Sequence, residues 1–232
     1  MSQTKLRVPA ELAYAGAVLI LSFAVAMVAS ANFGVSMVVA PAYILSLRID
    51  ALTFGQSEYI VQALLFLVLC LLLRKVRLTF FFSFFTCLIY GAVLDLWRLV
   101  IPLFNPTVTP PGSMALPLRC VLFAGGMILT AFSVALFYRT YLYPQVYDFF
   151  VKAVCERFPF DRTKFKICFD AGCLLVAVVL TLVFFGRFNG IGVGTLIMTA
   201  LNGVLIGLFG KFFDRFFTFP ALFPKLEERF RI

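Results

Sequence analysis

The stretch GGMILTAFSVAL (Gly125–Leu136) echoes GAVLILSFAVAM (Gly16–Met27) at an offset of 109, and that echo decides the fold. Phe23, Val25 and Ala26 fall on Phe132, Val134 and Ala135. Working outward, the register holds. Gln62 falls near Asp170 at an offset of 108, and YGAVLD (Tyr90–Asp95) falls on NGVLIG (Asn202–Gly207) at an offset of 112. Each copy is a long apolar run, a short segment, and two more long apolar runs. Three crossings per copy is an odd number, so the second copy enters the membrane from the opposite side. Inverted repeats with short or interrupted segments in matching places are an architecture of secondary transporters.

The composition demands a membrane. The 232 residues are 62% hydrophobic and 13% charged, against about 45–50% and about 25% for a soluble domain. A helix needs roughly 20 apolar residues to span the hydrocarbon core. Six runs qualify: Pro9–Ala31, Gly55–Leu73, Leu78–Ile101, Leu116–Tyr138, Lys166–Phe185 and Gly190–Gly210. They do not alternate, so they read as helices rather than barrel strands. The fold class is therefore all-α integral membrane, with six transmembrane helices as two inverted three-helix repeats. Each repeat has one additional short helix, re-entrant or interfacial. The parts are a first repeat (1–103), a Pro-rich extracytoplasmic loop (104–115), a second repeat (116–215) and a cytoplasmic interfacial tail (216–232).

Charge sets the number of crossings. The short segments Phe33–Leu47 and Tyr141–Val154 are too short to span comfortably. If both crossed, Arg74, Lys75 and Arg77 would lie opposite Lys5 and Arg7. With six crossings these groups share one side with Arg139, Lys152, Arg157, Arg162, Lys164, Lys166, Lys211, Arg215 and Lys225. Only Arg48, Arg119 and Arg187 disobey. The positive-inside rule thus favours six crossings with both termini cytoplasmic in a bacterial inner membrane. It also accounts for the net charge of +9 without nucleic acid.

Several chemistries find no support. The chain has no histidine, which removes His-based triads and HExxH zinc sites. Its six cysteines form no CxxC pair and read as small buried hydrophobes, so no metal or cofactor is expected. The glycines of GRFNGIGVGTLIMTALNG (Gly186–Gly203) fit neither a Walker A loop nor a dinucleotide fingerprint. Two readings of them remain. One is helix packing, with Gly203 and Gly207 forming GxxxG. The other is a helix N-terminus at Gly190–Thr195 facing a small polar or anionic solute, with Arg187 adding charge and Gly194 and Thr195 donating.

KFKICFD (Lys164–Asp170), FFGRFNGIGVGTLIMTALNG (Phe184–Gly203) and ANFGVSMVVAPAYILS (Ala31–Ser46) resemble the YczE/YitT-like group of bacterial membrane proteins. The resemblance covers nearly the whole chain. It implies a polytopic inner-membrane protein of a largely uncharacterised group. The chain departs from that pattern in the aromatic YLYPQVYD (Tyr141–Asp148) and in Asn202, where the group usually has an aliphatic residue.

Polar groups inside apolar runs are the candidate site. Asp95 and Arg98 share a helix face, as a structural pair or as binding and coupling groups. Asp170 stands four residues after Lys166, as a surface pair or a solute contact. Glu58 reads as interfacial, and Gln62, one turn deeper, as the better lining residue. Asn32, Ser36, Gln145 and Asp148 belong to the short segments, and Asn202 to the last helix. The leading function is a small-solute transporter or solute-binding membrane protein, with its site between the repeats. The alternative is a non-transporting scaffold or accessory subunit. An enzyme is not expected, because the acids are dispersed and no nucleophile–base constellation appears. The partners expected are the lipid bilayer, a small polar or anionic solute, and a second copy or another membrane protein.

Overall fold

The computed structural model describes residues 5–74, 80–224 and 227–228. Among these, six helices are long and apolar enough to cross a membrane. They are α1 (Ala10–Ala31), α3 (Phe54–Leu73), α4 (Phe81–Val100), α5 (Leu116–Phe137), α7 (Arg162–Phe185) and α8 (Val193–Phe216). Two short helices, α2 (Ala40–Arg48) and α6 (Val146–Arg157), follow α1 and α5. With 9 and 12 residues, they reach only about 14 and 18 Å at the α-helical rise. The hydrocarbon core is about 30 Å thick, so neither crosses it. Lys75, Arg77, Leu78 and Lys225, used above for charge and boundaries, lie outside the described residues.

Local chemistry fixes the ends. Thr53 and Gln56 close a capping box at the start of α3. Asp161 accepts from Lys164 N at 2.8 Å, which extends α7 four residues ahead of its apolar run. Pro41 and Pro117 sit in the first turns of α2 and α5, where a missing N–H is harmless. α7 stops at Gly186 in the left-handed region, φ 63°.

The helix neighbours follow a two-fold exchange of the halves. α1 packs against α4 as α5 packs against α8; α2 packs against α7 as α6 packs against α3; α1 and α5 pack against each other at the centre. That last seam is made of small residues: Ala13, Ala17, Ala24, Ala131 and Ala135 are buried. A Cβ at Gly126 would stand 2.8 Å from Ala24 O, so the backbones meet as in small-residue membrane packing. The Ser133 hydroxyl donates to Ala17 O at 2.5 Å across it.

Contacts also sort the ends of the bundle. Arg119, at the start of α5, donates to Ala31 O and Asn32 O at 2.8 Å, so α1 ends where α5 begins. The start of α8 joins this loop end, with Gly194 N donating to Phe33 O at 2.8 Å. At the other end Arg139, two residues past α5, grips Asp214 of α8 at 2.7–2.8 Å. The N-terminus closes that end: β1 (Leu6–Arg7) pairs in parallel with β2 (Phe217–Thr218). Glu11 accepts from Leu222 N, Phe223 N and the Tyr141 hydroxyl.

The halves differ in one respect. α3 and α4 press together: a Cβ on Gly91 would run into Tyr59 and stand 3.0 Å from Gly55 O. Their counterparts α7 and α8 barely touch. Gly203 and Gly207 have nothing within 4 Å of a built Cβ. The GxxxG packing expected there is not made within the chain. The sequence shows small residues, but a seam needs a partner backbone, and α7 stands away.

Candidate functional site

The space left between α7 and α8 is part of a cavity of about 1110 Å³. Both halves line it. Leu21, Val25 and Val28 come from α1, Thr130 and Val134 from α5, and Met198, Asn202 and Gly203 from α8. The linker before α2 contributes Val35 to Val39, and α6 and the start of α7 form the remaining wall.

Five of the sequence candidates line this cavity: Ser36, Gln145, Asp148, Asp170 and Asn202. Lys166 ties two of them together. Its Nζ lies 3.3 Å from Asp148 Oδ1 on α6 and 3.1 Å from Asp170 Oδ1 on its own helix. The Tyr138 hydroxyl donates to Asp148 Oδ1 at 3.1 Å. The neighbouring Asp148 charge pushes that hydroxyl well above the usual phenol range, so it stays a donor. Two amide atoms of the wall, Gln145 Nε2 and Asn202 Oδ1, are buried and find no partner among the described residues. A buried polar atom left unpaired is costly. One donor and one acceptor therefore stand ready in the same cavity.

Gln62 stands directly behind the wall. Its Nε2 donates to Glu58 Oε2 at 2.9 Å and to Gln145 Oε1 at 3.2 Å, and its Oε1 accepts from Val146 N at 3.1 Å. Glu58 is 0% exposed, which corrects its reading as an interfacial residue. It sits one turn into α3, but α6 folds over it and the Tyr147 hydroxyl donates to its Oε2 at 3.0 Å. Lys166 and Asp170 follow Glu58 and Gln62 at the same offset of 108. Each half thus presents an i,i+4 polar pair to α6. The repeat offset was legible in the sequence; the role of Glu58 was missed because nothing local shows that α6 covers it.

The remaining candidates lie elsewhere. Asp95 does not pair with Arg98. It accepts from the Thr53 hydroxyl at 2.5 Å and from Gly55 N at 2.8 Å, closing the start of α3. A negative charge at a helix N-terminus is favoured there, and it takes the carboxylate away from Arg98. Arg98 lies over the Phe54 ring, 5.4 Å from its centroid. Asp95→Ala is therefore expected to lower stability by about 2 kcal/mol, the loss of a charged cap bond, in a thermal melt of the purified protein. Asn32 caps α1 with φ 53° and is exposed. Gly194 and Thr195 are closed in by the Phe33–Gly34 backbone, and Arg187 is exposed outside the cavity. The start of α8 therefore offers no opening to a solute.

Six membrane-length helices around a cavity lined by apolar side chains and a few polar ones define a multi-pass α-helical membrane protein. Residues 8–211 match the family model of DUF6198, a family of unknown function, and the chain belongs to that family. An uncharacterised membrane family is what the sequence resemblance implied. No curated protein and no solved structure gives a significant match.

Proposed function

We propose that this chain is a small-solute carrier whose substrate binds in the cavity between the inverted halves. The observation that carries the reading is the 1110 Å³ cavity with unpartnered Gln145 Nε2 and Asn202 Oδ1 in its wall. Three basic and three acidic side chains line it: Lys152, Arg162 and Lys166 against Asp148, Asp170 and Glu227. That balance suits a neutral or zwitterionic polar solute better than a strongly anionic one. A filled interior would have favoured the scaffold reading. Asp148 and Asp170 share Lys166 instead of facing a nucleophile, so the site reads as binding rather than catalytic. We place the protein in a bacterial inner membrane, near the YczE/YitT-like group, with its termini cytoplasmic. The support for this is the basic residues Arg139, Arg157, Lys164, Lys211 and Arg215, which gather at the end that carries the termini. Alternating access would follow from rocking one half against the other.

The test is a thermal-shift screen of the purified protein against a metabolite library, repeated with Gln145→Leu and Asn202→Leu. The expected result is a solute that raises the wild-type Tm, with the shift lost in both variants, and that is taken up by vesicles containing the wild type. A solute that stabilises both variants as fully as the wild type would place the site elsewhere and overturn the reading.

A further inference from the structure

Glu58 is a carboxyl group with no exposure, and among the described residues no cation pairs with it. Its Oε2 accepts from Gln62 and Tyr147, and its Oε1 has no partner among the described residues. The titratable groups that face it are Cys87 and Tyr90 from α4 and Tyr147 from α6. Tyr43 of α2 faces Arg98 instead. Among the described residues no lysine or arginine forms an ion pair with it. Its counterpart in the second half is Lys166, which is held between two aspartates. An ionised carboxylate buried in this way is the arrangement that proteins avoid by pairing or by protonation. Pairing is absent here.

We propose that Glu58 is a proton-binding site, and that its proton decides whether α6 stays seated against α3. With the proton on, the carboxylic acid is neutral and the Glu58–Gln62–Gln145 and Glu58–Tyr147 bonds hold α6 in place. When the proton leaves past Tyr147 and Gln145, which both line the cavity, a bare carboxylate remains. That charge is accommodated only if water enters, and water enters only if α6 lifts. The same chain of bonds reaches the free amide of Gln145, so a solute bound there acts on the seat of α6. This last link rests on the solute-binding reading; the proton site does not.

The experiment uses the full-length protein in lipid nanodiscs. Infrared difference spectra between about pH 5 and about pH 9 follow the carboxylic-acid carbonyl band, and hydrogen exchange follows the amides of 146–157. A band that disappears as pH rises, and that is missing in Glu58→Gln, is expected. The protection factor of α6, taken relative to the intrinsic exchange rate at each pH, should fall on the order of ten-fold with the loss of the band, while in Glu58→Gln it stays unchanged between the two ends. Tyr147→Phe is expected to move the midpoint, because it removes the hydroxyl that donates to Oε2. That variant keeps the test open even if Glu58→Gln fails to fold. A Glu58 band that is absent throughout, or present throughout, overturns the proposal, and so does α6 exchange that ignores the band. Failure of the metabolite screen with a titrating Glu58 would sink the solute reading alone. A bound solute with a silent Glu58 would sink this one alone.

Discussion

Gly91→Val is expected to destabilise the protein by about 3 kcal/mol, the upper range for overpacking, while Gly203→Val stays within about 0.5 kcal/mol of wild type. The two glycines hold matching places in the two halves, at the offset of 112. A Cβ on Gly91 would run into the Tyr59 ring, whose hydroxyl is tied to Leu88 O at 2.9 Å, and would press on Gly55 O. The branched valine adds two more methyl groups to that gap. At Gly203 a Cβ has nothing within 4 Å, which leaves space around it. The comparison is made by thermal unfolding of both variants in one detergent. Equal losses would mean that α7 and α8 close up as α3 and α4 do, and that the cavity is not a standing feature.

The second large effect is at Lys166. Replacing it with methionine leaves Asp148 and Asp170 in one wall with no cation between them. Breaking a fully buried pair costs about 3–5 kcal/mol. Here the three side chains keep 21–31% exposure, and water screens part of the repulsion, so about 2 kcal/mol is expected. The triple change Asp148→Asn, Lys166→Met, Asp170→Asn is expected to recover most of that loss, because no unpaired charge remains. A single Lys166→Met variant as stable as wild type would show that the aspartates do not depend on the lysine.

The repeat was legible because membrane helices keep their composition along their whole length. The echo at Gly16 and Gly125, together with the charge pattern, was enough to number the crossings and set aside the short helices. Polar residues in apolar surroundings also stood out, which is why Gln145, Asp148, Asp170 and Asn202 could be chosen from sequence and now line one cavity. What spacing does not carry is the partner across space. Asp95 and Arg98 sit three apart on one helix, yet the N-terminus of α3 captures the aspartate. Gly203 and Gly207 have the spacing of a packed seam, yet no helix lies against them. Glu58 looks shallow along α3, and only the fold of α6 over it makes it buried. In each case the deciding contact comes from an element remote in sequence.

The central claim is that the two halves are inverted copies around one cavity, with α2 and α6 entering from opposite faces. Asp50, just after α2, and Glu156, at the end of α6, are both exposed. Single cysteines placed there, in a background with the six native cysteines replaced, can be labelled with a membrane-impermeant maleimide on intact cells and on inverted vesicles. The account predicts labelling of Asp50→Cys from outside only and of Glu156→Cys from inside only. Labelling of both positions from the same face would contradict it.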